Sequence, residues 1–323
     1  MNRISTLKQT EERGAALIFV LFLVILLAVI VAELAYSGSL AIRMANNHKD
    51  SLMSRYAAIS GFNYGKYLLL NDLEEPNDES DSDSSDLNID SFNDGWAEDL
   101  TQNVGSATIR LSIEDGESGI NINMLADKKN TQLKKLFEEL VKESGGTTED
   151  VRKIMEYLKG KQGNTQKYFL FPESLRNVEG ISPGFAQSDF TQNLCCNSSG
   201  KINLNTASEQ ILNLLFVPDS DLTQFLEERK SMPFKQLPRK PQLKALYKPL
   251  VTFRSTYFRI AVDVSVSNRN FTTTHLFFVR RDRSKKKIDE LYTRERYSKG
   301  AIKTKEEDPN AQAPSGLSYQ GLP

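Results

Sequence analysis

The residues best equipped for chemistry lie in one acidic run. Residues 71–99, NDLEEPNDESDSDSSDLNIDSFNDGWAED, are rich in Asp, Glu and Ser, and no Lys or Arg occurs between Lys66 and Arg110. Carboxylates this dense suit Ca²⁺, which takes about six to eight oxygen ligands. Asp78, Asp81, Asp83, Asp86, Asp90 and Asp94 are the candidate ligands. The D-x-[DN]-x-[DN]-G loop pattern is absent, however, and the same composition describes a solvated linker. Calcium is therefore allowed and not required. The second reactive pair is Cys195-Cys196, the only cysteines in the chain. Adjacent cysteines close only a strained ring, so a vicinal bridge, an intermolecular bond and two free thiols are all open. Two histidines, His48 and His275, are too few for a His-based metal or catalytic centre. With no nucleophile elbow and no Gly-rich phosphate loop, no enzyme is expected. Lys and Arg number 41 against 42 Asp and Glu, so no basic bias points to nucleic acid.

The elements that would position these residues begin with an uncharged run, Ala15 to Ala32. It spans about 27 Å at ~1.5 Å per residue, close to the ~30 Å hydrocarbon core of a bilayer. A secretory signal has a shorter apolar core, ~7–15 residues, followed by a small-residue cleavage site; here the small residue, Gly14, precedes the run. The flank 1–13 carries Arg3, Lys8 and Arg13 against Glu11 and Glu12, which keeps it cytoplasmic and sends the rest outward. No proline occurs from Met1 to Leu73, and Leu40, Met44, Leu52, Tyr56, Ile59, Phe62, Tyr67 and Leu70 recur at helical spacing. One helix from about Ala15 to about Leu70 is expected, apolar all round at first and amphipathic later.

Alternation predicts a half-buried strand over SATIRLSI (106–113) and a β-hairpin from YFRIAVDVSVS (257–267), through SNRN, to FTTTHLFFVRR (271–281). Between them the pattern is helical. TQLKKLFEELVKES (131–144) gathers Leu133, Leu136, Phe137, Leu140 and Val141 on one face, Gly145-Gly146 stops it, and TTEDVRKIMEYLKG (147–160) starts another helix. Thr206 with Glu209 reads as a capping box opening ASEQILNLLF. Gly119-Ile-Asn-Ile-Asn123 recurs as Gly200-Lys-Ile-Asn-Leu-Asn205, and each Asn can bond its own backbone to set up a turn or helix start. KINLNTASEQILNLLF is similar to the opening of helix-hairpin-helix modules, but the turn VPDSD (217–221) has no glycine and two aspartates, a poor grip for phosphates. From Asp282 onward the charged sequence, with Lys285-Lys286-Lys287, reads as a disordered tail.

The segments ERGAALIFVLFLVILLAVIVAELAYSG, FNDGWAEDL (92–100), SIEDGESGININMLAD (112–127), PESLRNVEGISP (172–183), SGKINLNTASEQILNLL (199–215) and TYFRIAVDVSVS (256–267), taken together, resemble the type II secretion minor pseudopilin K (GspK) family. The resemblance implies cleavage after Gly14 by a prepilin peptidase and N-methylation of Ala15. It implies an α+β type IV pilin-like fold, a long N-terminal helix packed on a small antiparallel sheet, with a large inserted α-helical, SAM-like domain. The expected divisions are 1–14 leader, 15–35 transmembrane helix, 36–123 first pilin-like part, 124–252 insertion, 253–281 second pilin-like part and 282–323 tail. The implied role is to initiate and cap the tip of a periplasmic pseudopilus. The implied partners are minor pseudopilins I, J and H, major pseudopilin G and the inner-membrane assembly platform. The implied location is the inner membrane, single-pass, with the bulk periplasmic. Counting from Ala15, the fifth residue is Phe19, where most mature pilins have Glu. A carboxylate inside the bilayer is costly unless paired, and in pilins the terminal amine of the subunit above supplies the partner; a tip subunit has none above it. The chain departs from the family at MEYLKGKQGN (155–164), basic and neutral where an acidic stretch is usual. Without the resemblance, the same residues describe a single-pass, membrane-anchored periplasmic binding module.

Overall fold

The computed structural model describes residues 4–73, 89–160, 167–186, 189–217, 222–238, 242–266 and 271–299. The chain divides into two compact units, Met1–Tyr56 and Ala57–Pro323. Helix α1, Ile4–Asn71, runs through both. It begins at Ile4 rather than near Ala15, because Leu7, Lys8, Gln9, Glu11, Glu12 and Arg13 are strong helix formers with no proline among them. In the first unit every large apolar side chain from Leu17 to Val31 is exposed, and the helix is long and apolar enough to cross a membrane.

The second unit follows α1 with β1 (Leu100–Val104), β2 (Ala107–Asp115), β3 (Ile120–Asn121), α2 (Thr131–Glu143), α3 (Thr148–Lys159) and α4 (Pro183–Ala186). Next come β4 (Leu194–Cys195), β5 (Ile202–Asn203), α5 (Glu209–Leu215), α6 (Leu222–Ser231) and β6 (Val251–Thr252), and finally β7 (Tyr257–Val266), β8 (Phe271–Asp282) and β9 (Lys287–Lys299). One antiparallel sheet has the order β1-β2-β7-β8-β9. Alternation puts Ile109, Leu111 and Ile113 beside Val264, Val262 and Ile260, all buried. The last part of α1 covers this face. A Cβ at Gly61 would sit 2.6 Å from Val262 Cγ1, and one at Gly65 2.9 Å from Ile260 Cγ2, so the two glycines permit the close approach. Phe62 stacks on Phe277 at 4.1 Å.

β2 and β7 pair directly, and described residues between them in the chain, from Ile120 to Tyr247, build a second core. The predicted stripe of α2, Leu133, Leu136, Phe137, Leu140 and Val141, lies at its centre. The segment is not purely helical: β3 pairs with β4 and β5 with β6, both in parallel.

Three expectations are corrected. The cap of α5 is Ser208, whose side chain accepts from the Ile211 N–H; Thr206 instead donates to the buried Asp115 carboxylate at 2.5 Å, so the helix starts later. The acidic run is not solvated throughout, since Ile89, Asp90, Ser91 and Trp96 are buried; Asp78, Asp81, Asp83 and Asp86 lie outside the described residues. The predicted tail begins with a strand: β9 pairs with β8 along its length, while residues 300–323 lie outside the described residues. Charges on both faces of β9 hide its alternation. It is held by Tyr292 stacked on Phe278 at 4.3 Å and by Arg280 donating to Asp289 at 2.9 Å, and charge on an edge strand discourages further pairing. The short edge strand β1 carries only two apolar residues and gave no signal; Gly105, at φ 62°, makes its turn into β2.

Candidate functional site

The echoed Asn blocks fold alike. Each opens with a short strand, β3 or β5, and in each the first Asn side chain accepts from the backbone N–H of the second, Asn121 from Asn123 and Asn203 from Asn205. The second Asn then pairs both ways with a phenylalanine backbone. Asn123 does so with Phe169, at 2.7 Å in each direction. Asn205 does so with Phe234, at 3.0 and 2.9 Å. A side-chain amide presents a donor and an acceptor together, so each Asn stands in for a strand residue and ties a distant loop to its block.

Asn203 also reaches the junction where the sheet meets the second core. Its amide donates to Asp90 O, Asp115 Oδ2 and Ser255 Oγ at 2.9–3.0 Å. Asp115 also accepts from Ser255 Oγ at 2.6 Å and from the Glu117 N–H at 2.7 Å. Arg281, fully buried at the end of β8, donates to Asp72 Oδ2 at 2.6 Å, to Asp90 Oδ1 and to Leu69 O at 3.3 Å. Its guanidinium lies over the Phe258 ring, 4.5 Å from the centroid. Arg283 donates to Asp90 Oδ2. Asp94 accepts from Ser91 N at 2.8 Å, Ser91 Oγ and Trp96 Nε1 at 3.0 Å. One oxygen each from Asp72, Asp90 and Asp94 lie within 4.8 Å of one another. Burial pushes the Asp72 carboxyl up to about 7 against the pull of Arg281, and pushes Glu117 up to about 7 against its bonds from Ser199. Two of the six sequence-derived calcium candidates, Asp90 and Asp94, thus meet here. Asp72, Asp115, Arg281 and Arg283 were missed, although a signal existed. Arg281 falls in the alternation of Phe277 and Val279, and a guanidinium on an apolar face needs a buried acid.

Cys195 and Cys196 are not bridged to each other, which sets aside the vicinal bridge among the three open states. The Cys195 thiol lies 3.5 Å from Gly119 O and 3.3 Å from Ser198 Oγ, while Cys196 belongs to the second core. They border a cavity of about 160 Å³ with Glu114, Glu173, Tyr257 and Arg259. Burial pushes Cys195 up to about 12 and Cys196 up as well, so both stay protonated at neutral pH and are poor nucleophiles.

Gly14 and Ala15 lie within α1, and Phe19 is 67% exposed on it. The sheet, the long helix and the added helices define an α+β, pilin-like fold. Among solved structures, a chain in the crystal structure of the GspK-GspI-GspJ complex from the enterotoxigenic Escherichia coli type 2 secretion system matches it with a TM-score of 0.58. The match covers 78% of this chain and 98% of that one, at 14% sequence identity, and is a likeness of fold. No family model and no curated protein matches the sequence.

Proposed function

We propose that this protein is a minor pseudopilin of the type II secretion system, K-like, that initiates and caps the tip of a periplasmic pseudopilus. The observation that carries the reading is the fold match over 98% of a chain in the GspK-GspI-GspJ complex, in a chain whose N-terminal helix holds an apolar stretch long enough to cross a membrane. Minor pseudopilins I and J are the proposed direct partners, with H, the major pseudopilin G and the assembly platform further along. The work is association and not catalysis: apolar helices pack side by side in the inner membrane, where lipid offers little hydrophobic drive and close packing decides. Ala15, Ala16, Ala28, Ala32 and Ala35 allow that approach. A prepilin peptidase cleaves after Gly14, Ala15 is methylated, and residues beyond the span lie in the periplasm. Phe19 suits a subunit with none above it.

The test is co-purification of the full chain, in detergent, with minor pseudopilins I and J, together with the mass of its N-terminus. A ternary complex and a methylated Ala15 start are expected. An intact Met1 with no complex would instead mark a plain membrane-anchored binding module.

A further inference from the structure

The Asp72–Asp90–Asp94 cluster has the donor type of a divalent-cation site and the wrong neighbours for one. Five of its carboxylate oxygens already accept: Asp72 Oδ2 from Arg281, Asp90 Oδ1 from Arg281, Asp90 Oδ2 from Arg283 and the Ser255 N–H, and both Asp94 oxygens from Ser91, with Trp96 sharing one. Ca²⁺ needs about six to eight oxygens, and here it would have to displace these donors. It would also sit against two guanidinium groups, one fully buried, at distances where like charges repel strongly in a poorly screened interior. Arg281 cannot swing away readily. It is 1% exposed, it lies over Phe258, and it bonds the Leu69 and Ser255 carbonyls as well as the two aspartates.

We propose that Arg281 and Arg283 are the resident cations of this junction, occupying the place that three aspartates would otherwise offer to a divalent metal. The junction then closes without metal, and the end of α1, the segment at Asp90 and the ends of β7 and β8 are locked by charges the chain itself supplies. The latent site is a property of the three carboxylates: removing the guanidinium of Arg281 should uncover it.

The experiment measures the melting temperature of the full chain in detergent with a chelator and with millimolar calcium. The comparison is made for the wild type, Arg281→Met, Arg283→Gln and Asp94→Asn. The wild type is expected to melt at the same temperature in both conditions. Arg281→Met is expected to melt several degrees lower with chelator and to recover part of the loss in calcium. Should Arg281→Met fail to fold, Arg283→Gln, whose side chain is partly exposed, carries the same comparison with a smaller recovery. A calcium shift in the wild type that Asp94→Asn abolishes would overturn the proposal, as would arginine variants that fold and ignore calcium. A wild-type shift that Asp94→Asn leaves intact arises elsewhere and upholds it.

Discussion

Asn203 is the first asparagine of its echoed block and Asn123 the second of the other, and the two carry different loads. Asn203 is fully buried and serves three acceptors and the Asn205 N–H; Asn123 is half-buried and ties down Phe169 and Cys196 O. Leaving a buried polar group unpaired costs about 1–3 kcal/mol, and Asn203→Ala strands several. Chemical denaturation should therefore show a larger loss for Asn203→Ala than for Asn123→Ala. The pH dependence follows from Glu117 and Asp72, whose carboxyls titrate higher in the folded chain than unfolded. The folded state holds the extra protons, so their contribution is complete below the unfolded pKa and is lost as pH rises through about 7. The unfolding free energy should fall between about pH 5 and about pH 8, by up to ~1.4 kcal/mol per pH unit for each proton released. Glu117→Gln should flatten that fall; an unchanged slope would refute the assignment. The cysteines give a third expectation. With both thiols protonated and shielded, the native protein should resist alkylation, and unfolding should expose two reactive thiols without a reductant.

At the scale of elements, the contact between α1 and the sheet depends on Gly61. Replacing a helix-interior glycine by alanine gains roughly 1 kcal/mol of helix propensity. Here the new Cβ would lie 2.6 Å from Val262, and overpacking costs about 1–3 kcal/mol. The clash should win, so Gly61→Ala should lower stability and Gly61→Leu lower it further. β9 is the other joint. Tyr292 stacks on Phe278, donates to Leu170 O at 2.7 Å and accepts from Asn197. Arg296 meets Glu173 at 2.9 Å. This strand fastens segments 170–173 and 197 to the sheet. Tyr292→Ala should cost ~2 kcal/mol, below a fully buried aromatic because the ring is partly exposed, and should speed hydrogen exchange around Leu170. Exchange unchanged there would mean that another contact holds the loop.

For the whole molecule, the proposed role predicts that Phe19→Glu weakens tip placement in a pseudopilus reconstituted with its partners, since the new carboxylate finds no amine above it; unaltered assembly would remove the electrostatic argument. Much of the architecture was legible in the chain. The apolar run to Ala32, the alternation over 107–113 and 257–266 and the stripe of α2 are local periodicities, and burial on one face imposes them directly on sequence. What escaped was decided by neighbours. β9 has no apolar stripe because sheet pairing and cross-strand charges hold it. Ser208 caps α5 because Asp115, distant in sequence, claims Thr206. Of the aspartates that looked like a loop for calcium, Asp90 meets Arg281 and Arg283 while Asp94 turns to Ser91 and Trp96. A sequence states which residues prefer burial or charge, but the partner that satisfies a buried polar group arrives from far along the chain, and only the folded structure names it.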